Sequence, residues 1–272
     1  MIEAPDLLAT IVAAARRMVE VRKAQVTEAS LEKLAAARRP DGAGFVRALR
    51  DGAPPRVIAE CKRRSPSRGI LRDDYRPAEH AAAYARAGAA AISVLTEPTF
   101  FDGSLTHLQE VRAAVDIPLL RKDFIVERYQ ILEAVASGAD AVLLIVGALE
   151  AGALERLLAD AAEAGVAALV EVHSGVELRM AADSGATLIG VNSRNLRTLA
   201  VDPGVHDQLA PLMPKGAVTV AESGLRALAD LQRLERAGYD AFLVGERLIA
   251  QPDPGAALMA LRGHAAGKRR KQ

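Results

Sequence analysis

The chain of 272 residues has one cysteine, Cys61. A lone thiol excludes an internal disulfide, and a reducing compartment is the natural setting. Charge of one sign is also missing, since 35 Lys and Arg against 34 Asp and Glu leave a formal net charge of +1. Bulk charge therefore argues for neither a nucleic acid nor a membrane surface as partner. No apolar run reaches the roughly 18 residues of a spanning helix. The N-terminus lacks a basic stretch followed by an apolar core and a cleavage site, so no signal peptide is expected. His, Cys and acidic residues do not cluster at metal-ligand spacing, and no metal is expected. A cytoplasmic protein is the expectation these absences leave.

What is present is material for a large core. Half of the residues are apolar and 25% are charged, a balance that suits a globular protein. The length allows one or two domains, and α/β barrels of this size occur as one. Asp6 can cap a helix beginning at Leu7. Leu7, Leu8, Ile11, Val12, Ala15 and Val19 then follow helical spacing, with Arg16, Arg17, Glu20 and Arg22 on the other side. A second helical piece carries Leu31, Leu34 and Ala35 and stops near Pro40, and a third runs from Phe45 to Arg50. All three precede the first strand signal. We read them as an extension covering one end or side of the main body, with a direct part in ligand binding left open.

From Pro54 the texture changes. Apolar, β-branched runs alternate with Ala-rich helical stretches. The strand candidates are Val57–Glu60, Ala91–Leu95, Pro118–Arg121, Ala141–Val146, Ala168–Val172, Leu188–Val191, Val218–Ala221 and Ala241–Val244. Several follow a glycine that suits the stop of a preceding helix, at Gly88, Gly138, Gly165, Gly185 and Gly238. Strands without alternation belong to a parallel sheet covered on both faces. Eight strand-helix units point to a single (β/α)8 TIM barrel with an N-terminal helical extension. A doubly wound open sheet is disfavoured, because no Gly-x-Gly-x-x-Gly follows the first strand. The expected organisation is one domain over 1–272: an extension at 1–53, a barrel at 54–263 and a disordered basic tail at 264–272. The run Gly267-Lys268-Arg269-Arg270-Lys271-Gln272 is read as a solvated terminus, not a nucleic-acid arm.

In such a barrel the active site lies at the C-terminal ends of the strands. The first strand ends in Glu60 and Lys62, two residues apart and therefore on one face, followed by Ser65. The second carries Ser93, then Thr96 and Glu97. The third ends in Arg121, Lys122, Asp123 and Phe124, and the fourth in apolar Leu143, Leu144 and Ile145. Glu171 and His173 end the fifth, and Asn192, Ser193, Arg194 and Asn195 the sixth. Glu222, Ser223 and Gly224 close the seventh, Gly245 and Glu246 the eighth. So many polar groups converging from separate strands exceed what a structural barrel needs. Glu60 with Lys62 can equally be a buried ion pair, and Lys122 one of a solvated trio with Arg121 and Asp123. His173 is read as a satisfied polar residue, Ser93 as a packing or backbone contact, and Cys61 as a small core residue on the face opposite Glu60. The glycines at 224 and 245 let backbone N–H groups approach an anion, in the two loops where this fold usually holds phosphate. Glu246 would repel a phosphate, so its N–H is expected to face the ligand and its side chain to point away.

Taken together, these segments resemble the indole-3-glycerol-phosphate synthase family over nearly the whole chain. The resemblance rests on Ile58-Ala59-Glu60-Cys61-Lys62 with Ser65-Pro66-Ser67, Ser93-Val94-Leu95-Thr96-Glu97, and Leu120-Arg121-Lys122-Asp123-Phe124-Ile125. It continues through Leu169-Val170-Glu171-Val172-His173, Gly190-Val191-Asn192-Ser193-Arg194-Asn195-Leu196, Ala221-Glu222-Ser223-Gly224 and Val244-Gly245-Glu246. The resemblance implies a lyase of tryptophan biosynthesis acting on 1-(2-carboxyphenylamino)-1-deoxyribulose 5-phosphate. It closes the pyrrole ring with loss of carbon dioxide and water, and uses no cofactor. Lys122 would be the general acid and Glu171 its acid/base partner, with Glu60 and Lys62 orienting substrate and charge. Asn192 and Arg194 would bind hydroxyls or carboxylate, and Glu222 and Ser223 would line the centre. Ser65, Gly224, Gly245 and the Glu246 backbone would hold phosphate, and Phe101, Phe124, Leu143 and Leu196 would pack on the anthranilate ring. Lys122 is expected to have a lowered pKa from like charges and burial. Arg247 stands where relatives more often carry a small residue, and is expected to sit over the eighth-strand loop and tune phosphate affinity. A monomer is expected, with association with another tryptophan-pathway enzyme left open. The alternatives are another phosphate-binding barrel, such as a sugar-phosphate isomerase, or an inactive barrel serving as a binding protein.

Overall fold

The computed structural model describes residues 6–264, so all but the first residue of the expected tail falls outside the described residues. Eight strands run parallel: β1 (Arg56–Cys61), β2 (Ala91–Leu95), β3 (Leu119–Lys122), β4 (Ala141–Ile145), β5 (Ala167–Val172), β6 (Leu188–Asn192), β7 (Val218–Glu222) and β8 (Ala241–Val244). They close into a barrel in which each pairs with its sequence neighbours and β8 returns to β1. The fold is the expected (β/α)8 TIM barrel. Six of the strands differ from the expected bounds by one residue at one or both ends, and two of these shifts have a plain physical reason. Pro118 has no N–H for the ladder, so β3 begins at Leu119. Val146 opens a short 3-10 turn, Val146–Ala148, instead of extending β4.

The helices are α1 (Leu7–Gln25), α2 (Glu28–Ala36), α3 (Gly42–Asp51), α4 (Pro77–Arg86), α5 (Pro98–Phe101), α6 (Leu105–Ala114), α7 (Arg128–Ala136), α8 (Ala153–Glu163), α9 (Gly175–Asp183), α10 (Gly204–Leu209), α11 (Leu228–Arg236), α12 (Glu246–Ile249) and α13 (Pro254–Leu261). The side chains of Asp6, Thr27 and Asp41 accept backbone N–H groups at the starts of the first three, as short polar caps do. The glycines read as helix stops all carry positive φ.

Alternation along each strand separates two cores. Ile58, Leu120, Leu143, Leu169, Val220 and Leu243 fill the barrel interior. Val57, Val142, Val170 and Phe242 face outward against the helices. The parity matters for the site, because residues two positions beyond an inward residue also point inward.

The N-terminal extension serves both ends. Phe45 and Leu49 of α3 are fully buried and join the interior core. The α3 segment reaches the starts of strands, with Gly42 N–H donating to the Gly165 carbonyl and Arg50 to that of Gly216. It therefore closes the N-terminal end of the barrel. On α1, Leu7 and Ile11 instead line the opposite end with Phe124 and Leu143, near the strand C-termini. On α2 only Leu31 and Ala35 are buried, and Leu34 is 57% exposed. The helix is short and narrow-faced, and one i, i+4 pair suffices to seat it.

Phe45→Ala removes the aromatic plug of the closed end. We expect a loss of about 3–5 kcal/mol in denaturant unfolding, with kcat unchanged because the plug lies opposite the strand C-termini. A loss under about 1 kcal/mol would show that this end does not depend on Phe45.

Candidate active site

A cavity of about 580 Å³ opens at the C-terminal end of the barrel, and every residue to which the family resemblance gives a role lines it, whereas Ser93, Thr96, Glu97, Arg121 and His173 do not. Parity explains why. Glu60 follows inward Ile58, Lys122 follows Leu120, Glu171 follows Leu169, Asn192 lies four beyond Leu188, and Glu222 follows Val220. These five strand ends thus each deliver one polar group to the same layer, while β4 contributes apolar Leu143 and Ile145.

The charges pair across strands. Lys62 Nζ lies 2.6 Å from Glu60 Oε1. Lys122 Nζ lies 3.1 Å from Glu171 Oε2 and 3.4 Å from Glu222 Oε2. All three carboxylates are at least 96% buried, Glu60 at 4% exposure being the most open. Three anions against two lysines cannot all stay ionised cheaply in a dry site. Burial pushes Glu222 up to about 8, with Glu171 and Glu60 adding to the rise and Lys122 opposing it. Burial also acts to raise Glu171, but Lys122, then His173 and Asn192, hold it below the ordinary carboxylate range. Near neutrality the layer therefore holds an ionised Glu171 beside a protonated Glu222. Two carboxyl groups driven apart in this way mark a base and an acid.

Lys122 departs from the expected lowered pKa. Burial works in that direction, yet Glu171, Glu222 and Glu60 overcome it and raise Lys122 above the usual lysine range. Its sequence neighbours are not its spatial neighbours. Arg121 points outward, 1% exposed, and binds Asp123 Oδ2 at 2.8 Å, Glu133 Oε2 at 3.2 Å and the Gln130 carbonyl at 2.6 Å. Arg121, Lys122 and Asp123 are thus no solvated trio.

Cys61 is fully buried and burial pushes its thiol up, as befits a core residue. Ser93 stands opposite Glu60 in register, and its buried Oγ has no hydrogen-bond partner among the described residues, so it makes no backbone contact. His173 is not satisfied in the way expected. Its Nδ1 lies 3.2 Å from Glu177, but Nε2 makes no hydrogen bond and faces Glu171 Oε1 at 3.4 Å.

The other end of the cavity is built from backbone. Ser223 and Gly224 both have positive φ, 66° and 72°, a turn that a serine adopts only under constraint. The N–H groups of Gly224, Leu225, Glu246 and Arg247 have no acceptor among the described residues. Ser65 is buried, its Oγ 3.4 Å from that of Ser67. The Glu246 carboxylate is countered by Arg68 at 3.2 Å and approached by Arg194 at 3.9 Å. Arg247 lines the cavity, and its Nε donates to the Arg226 carbonyl at 3.2 Å, joining the two loops. Phe101 and Phe124 form a tilted aromatic pair, 6.2 Å between centroids, beside Leu143 and Leu196. Glu97 caps α5 through the N–H groups of Thr99, Phe100 and Phe101, which places the Phe101 ring.

Two contributors escaped the sequence. Leu7 and Ile11 of α1 reach the cavity, and nothing local in a helical stripe tells which end of a barrel it covers. Gly190 and Gly245 are recesses for carboxylates. A Cβ at Gly190 would collide with Glu222 Oε1, and one at Gly245 with Glu60 Oε1. Gly190→Ala should displace Glu222, costing about 1–3 kcal/mol of stability and about 10-fold or more in kcat. Turnover equal to that of the unaltered chain would show that the recess is irrelevant.

A (β/α)8-barrel enzyme is the class that this fold and this ring of acid, base and anion-binding groups define. A family model described as indole-3-glycerol phosphate synthase matches residues 8–261. Indole-3-glycerol phosphate synthase 2 of Streptomyces coelicolor is 50% identical over 257 residues, covering 94% of this chain and 99% of that one. The Chlorobium phaeovibrioides synthase is 47% identical over 242 residues, 89% of this chain and 93% of its own. The chain belongs to the indole-3-glycerol phosphate synthase family. Solved structures of the Pyrococcus furiosus thiamine phosphate pyrophosphorylase (TM-score 0.60, 17% identity, 80% of this chain and 96% of that one) share its fold. So does a 3-hexulose-6-phosphate synthase (TM-score 0.59, 15% identity, 78% and 100%).

Proposed function

We propose that the chain converts 1-(2-carboxyphenylamino)-1-deoxyribulose 5-phosphate to indole-3-glycerol phosphate. The observation that carries this reading is the Lys122–Glu171–Glu222 cluster at one end of a cavity whose other end offers unpaired backbone N–H groups. Phosphate binds at Ser65 and at the N–H groups around Gly224, Gly245 and Glu246. The anthranilate ring lies against Phe101, Phe124, Leu143 and Leu196, and Arg194 and Asn192 meet its carboxylate or the sugar hydroxyls. Clamping both ends bends the substrate so that the ring carbon bearing the carboxylate meets the ketone carbon.

The new carbon–carbon bond sends the carbonyl electron pair to oxygen, which takes a proton from Lys122. The three carboxyl groups around that lysine keep it charged, so it waits in its acid form, and the developing alkoxide is a strong enough base to take the proton. Carbon dioxide leaves and returns its electron pair to the ring. Glu171, ionised, removes a proton from the carbon beside nitrogen. Glu222, protonated near neutrality, supplies the proton with which the hydroxyl departs as water, and Ser223 borders this centre. Lys62 neutralises Glu60 and leaves its remaining N–H bonds for the substrate. The polar cluster is what a scaffold or a plain sugar-phosphate barrel would not need.

Indole fluorescence appearing from this substrate tests the reaction. Lys122→Ala and Glu171→Gln should each lower kcat by at least about 10², and near-normal turnover in both sinks the mechanism.

Among the described residues no helix is long and apolar enough to cross a membrane. A cytoplasmic monomer, free to associate with another tryptophan-pathway enzyme, accords with the single buried thiol and the near-zero net charge. A sedimentation mass of one chain is expected for the purified protein, and a dimer mass would refute it.

A further inference from the structure

Glu171 has two oxygens, and the proposed chemistry engages one of them through Lys122. The other, Oε1, faces His173 Nε2 at 3.4 Å. His173 follows Glu171 by two residues and keeps the inward parity as the chain leaves β5. Its second nitrogen, Nδ1, lies 3.2 Å from Glu177 Oε2. Glu177 is itself fixed. The same oxygen accepts the His173 backbone N–H at 2.6 Å, and the Glu177 N–H donates to Ser174 Oγ, the cap of α9. A carboxylate in the first turn of a helix is favoured by the helix dipole.

A neutral imidazole carries one N–H, and its other nitrogen is an acceptor. With a carboxylate oxygen facing each nitrogen, either tautomer aims a lone pair at an anion. The doubly protonated ring alone suits both neighbours. Burial disfavours that charge, but Glu177, Glu171 and Glu222 together outweigh it and raise His173 above the ordinary histidine value.

We propose that His173, carried by Glu177, is a positioning residue: an imidazolium that fixes the second oxygen of Glu171 and keeps that carboxylate ionised when Lys122 gives up its proton. The role rests on the proposed reaction, whereas the Glu177–His173–Glu171 array does not. The groups facing Glu171 are Lys122 from β3, Glu222 from β7, Asn192 from β6 and His173, with Glu60 from β1 behind Lys122. Lys62 is engaged by Glu60. Once Lys122 is neutral, Glu171 would face other carboxyl groups with no cation and would take up the proton itself. The imidazolium prevents this, so the proton stays on the substrate.

Two full-chain variants, His173→Gln and Glu177→Gln, test the proposal. His173→Gln should lower kcat about 10-fold while KM stays within about twofold, because the phosphate loops are untouched. Losing a cation raises the pKa of Glu171, so the acid limb of the kcat–pH profile should move to higher pH by about one unit. Imidazole NMR titration of the substrate-free protein gives a readout independent of turnover, with His173 assigned by the signal missing in His173→Gln. His173 should titrate above an ordinary histidine, and Glu177→Gln should bring it down. A His173 that titrates at or below the ordinary value overturns the proposal. So does a His173→Gln variant whose pH profile does not move. A wild-type chain that makes no indole overturns the reaction instead, a failure the titration keeps apart.

Discussion

A lysine ammonium held among three buried carboxyl groups is the interaction on which the site depends. In that layer no group has an independent charge. Lys122 stays protonated because Glu171, Glu222 and Glu60 surround it, Glu171 stays ionised because Lys122 and His173 face it, and Glu222 is left to take the proton. Removing one partner of a buried pair strands the other charge at a cost of several kcal/mol. The cluster therefore has to be rigid, and the structure holds its strand end from the far side as well. Arg121, one residue before Lys122, is locked outward by Asp123 and Glu133. Glu133 also receives Arg22 of α1. The outward network anchors β3, and it ties the helix covering the cavity to the strand that carries Lys122, the proposed general acid.

The barrel is legible in the recurrence of unalternating apolar runs, and the ring of site residues in the polar groups at the ends of those runs. Apolar runs separated by Ala-rich helices gave the strand count, and the residue after each run gave the site layer. What stayed hidden needed distances across the barrel. The direction of the Lys122 shift is not legible in the chain, where Arg121 and Asp123 flank it, because the groups that act on it come from β1, β5 and β7. His173 passed as an ordinary strand-end residue because its partner, Glu177, belongs to the next helix. Gly190 read as strand sequence, yet its missing side chain is the space that Glu222 occupies. Glycine placed for someone else's side chain leaves no periodic signature.

The N-terminal extension shows the same limit. Its helical stripes were visible, but a stripe does not name the surface that it covers. Phe45 and Leu49 face the closed end, and Leu7 and Ile11 face the open one, only 34 residues apart between Ile11 and Phe45 in sequence and at opposite poles of the barrel. One end adds stability without chemistry, and the other adds an apolar wall to the cavity.

Stability and chemistry are divided along the barrel axis, and that division explains how barrels of very different sequence can share one fold. Barrels at 15–17% identity superpose well, since an interior of Ile58, Leu120, Leu169 and Val220 needs only apolar groups of suitable size. The strand ends carry no such freedom. Within them the proposed phosphate loops offer backbone N–H groups, which tolerate many side chains, while the proposed acid-base layer needs particular carboxyl groups at particular depths. Binding energy drawn from the loops is the same before and during reaction, and so serves to hold and bend the substrate. In the proposed reaction, the layer of Lys122, Glu171 and Glu222 is the part that answers to charge as it develops on oxygen. On the proposed mechanism, specificity for this ring closure over other phosphate chemistry resides in that layer, not in the loops.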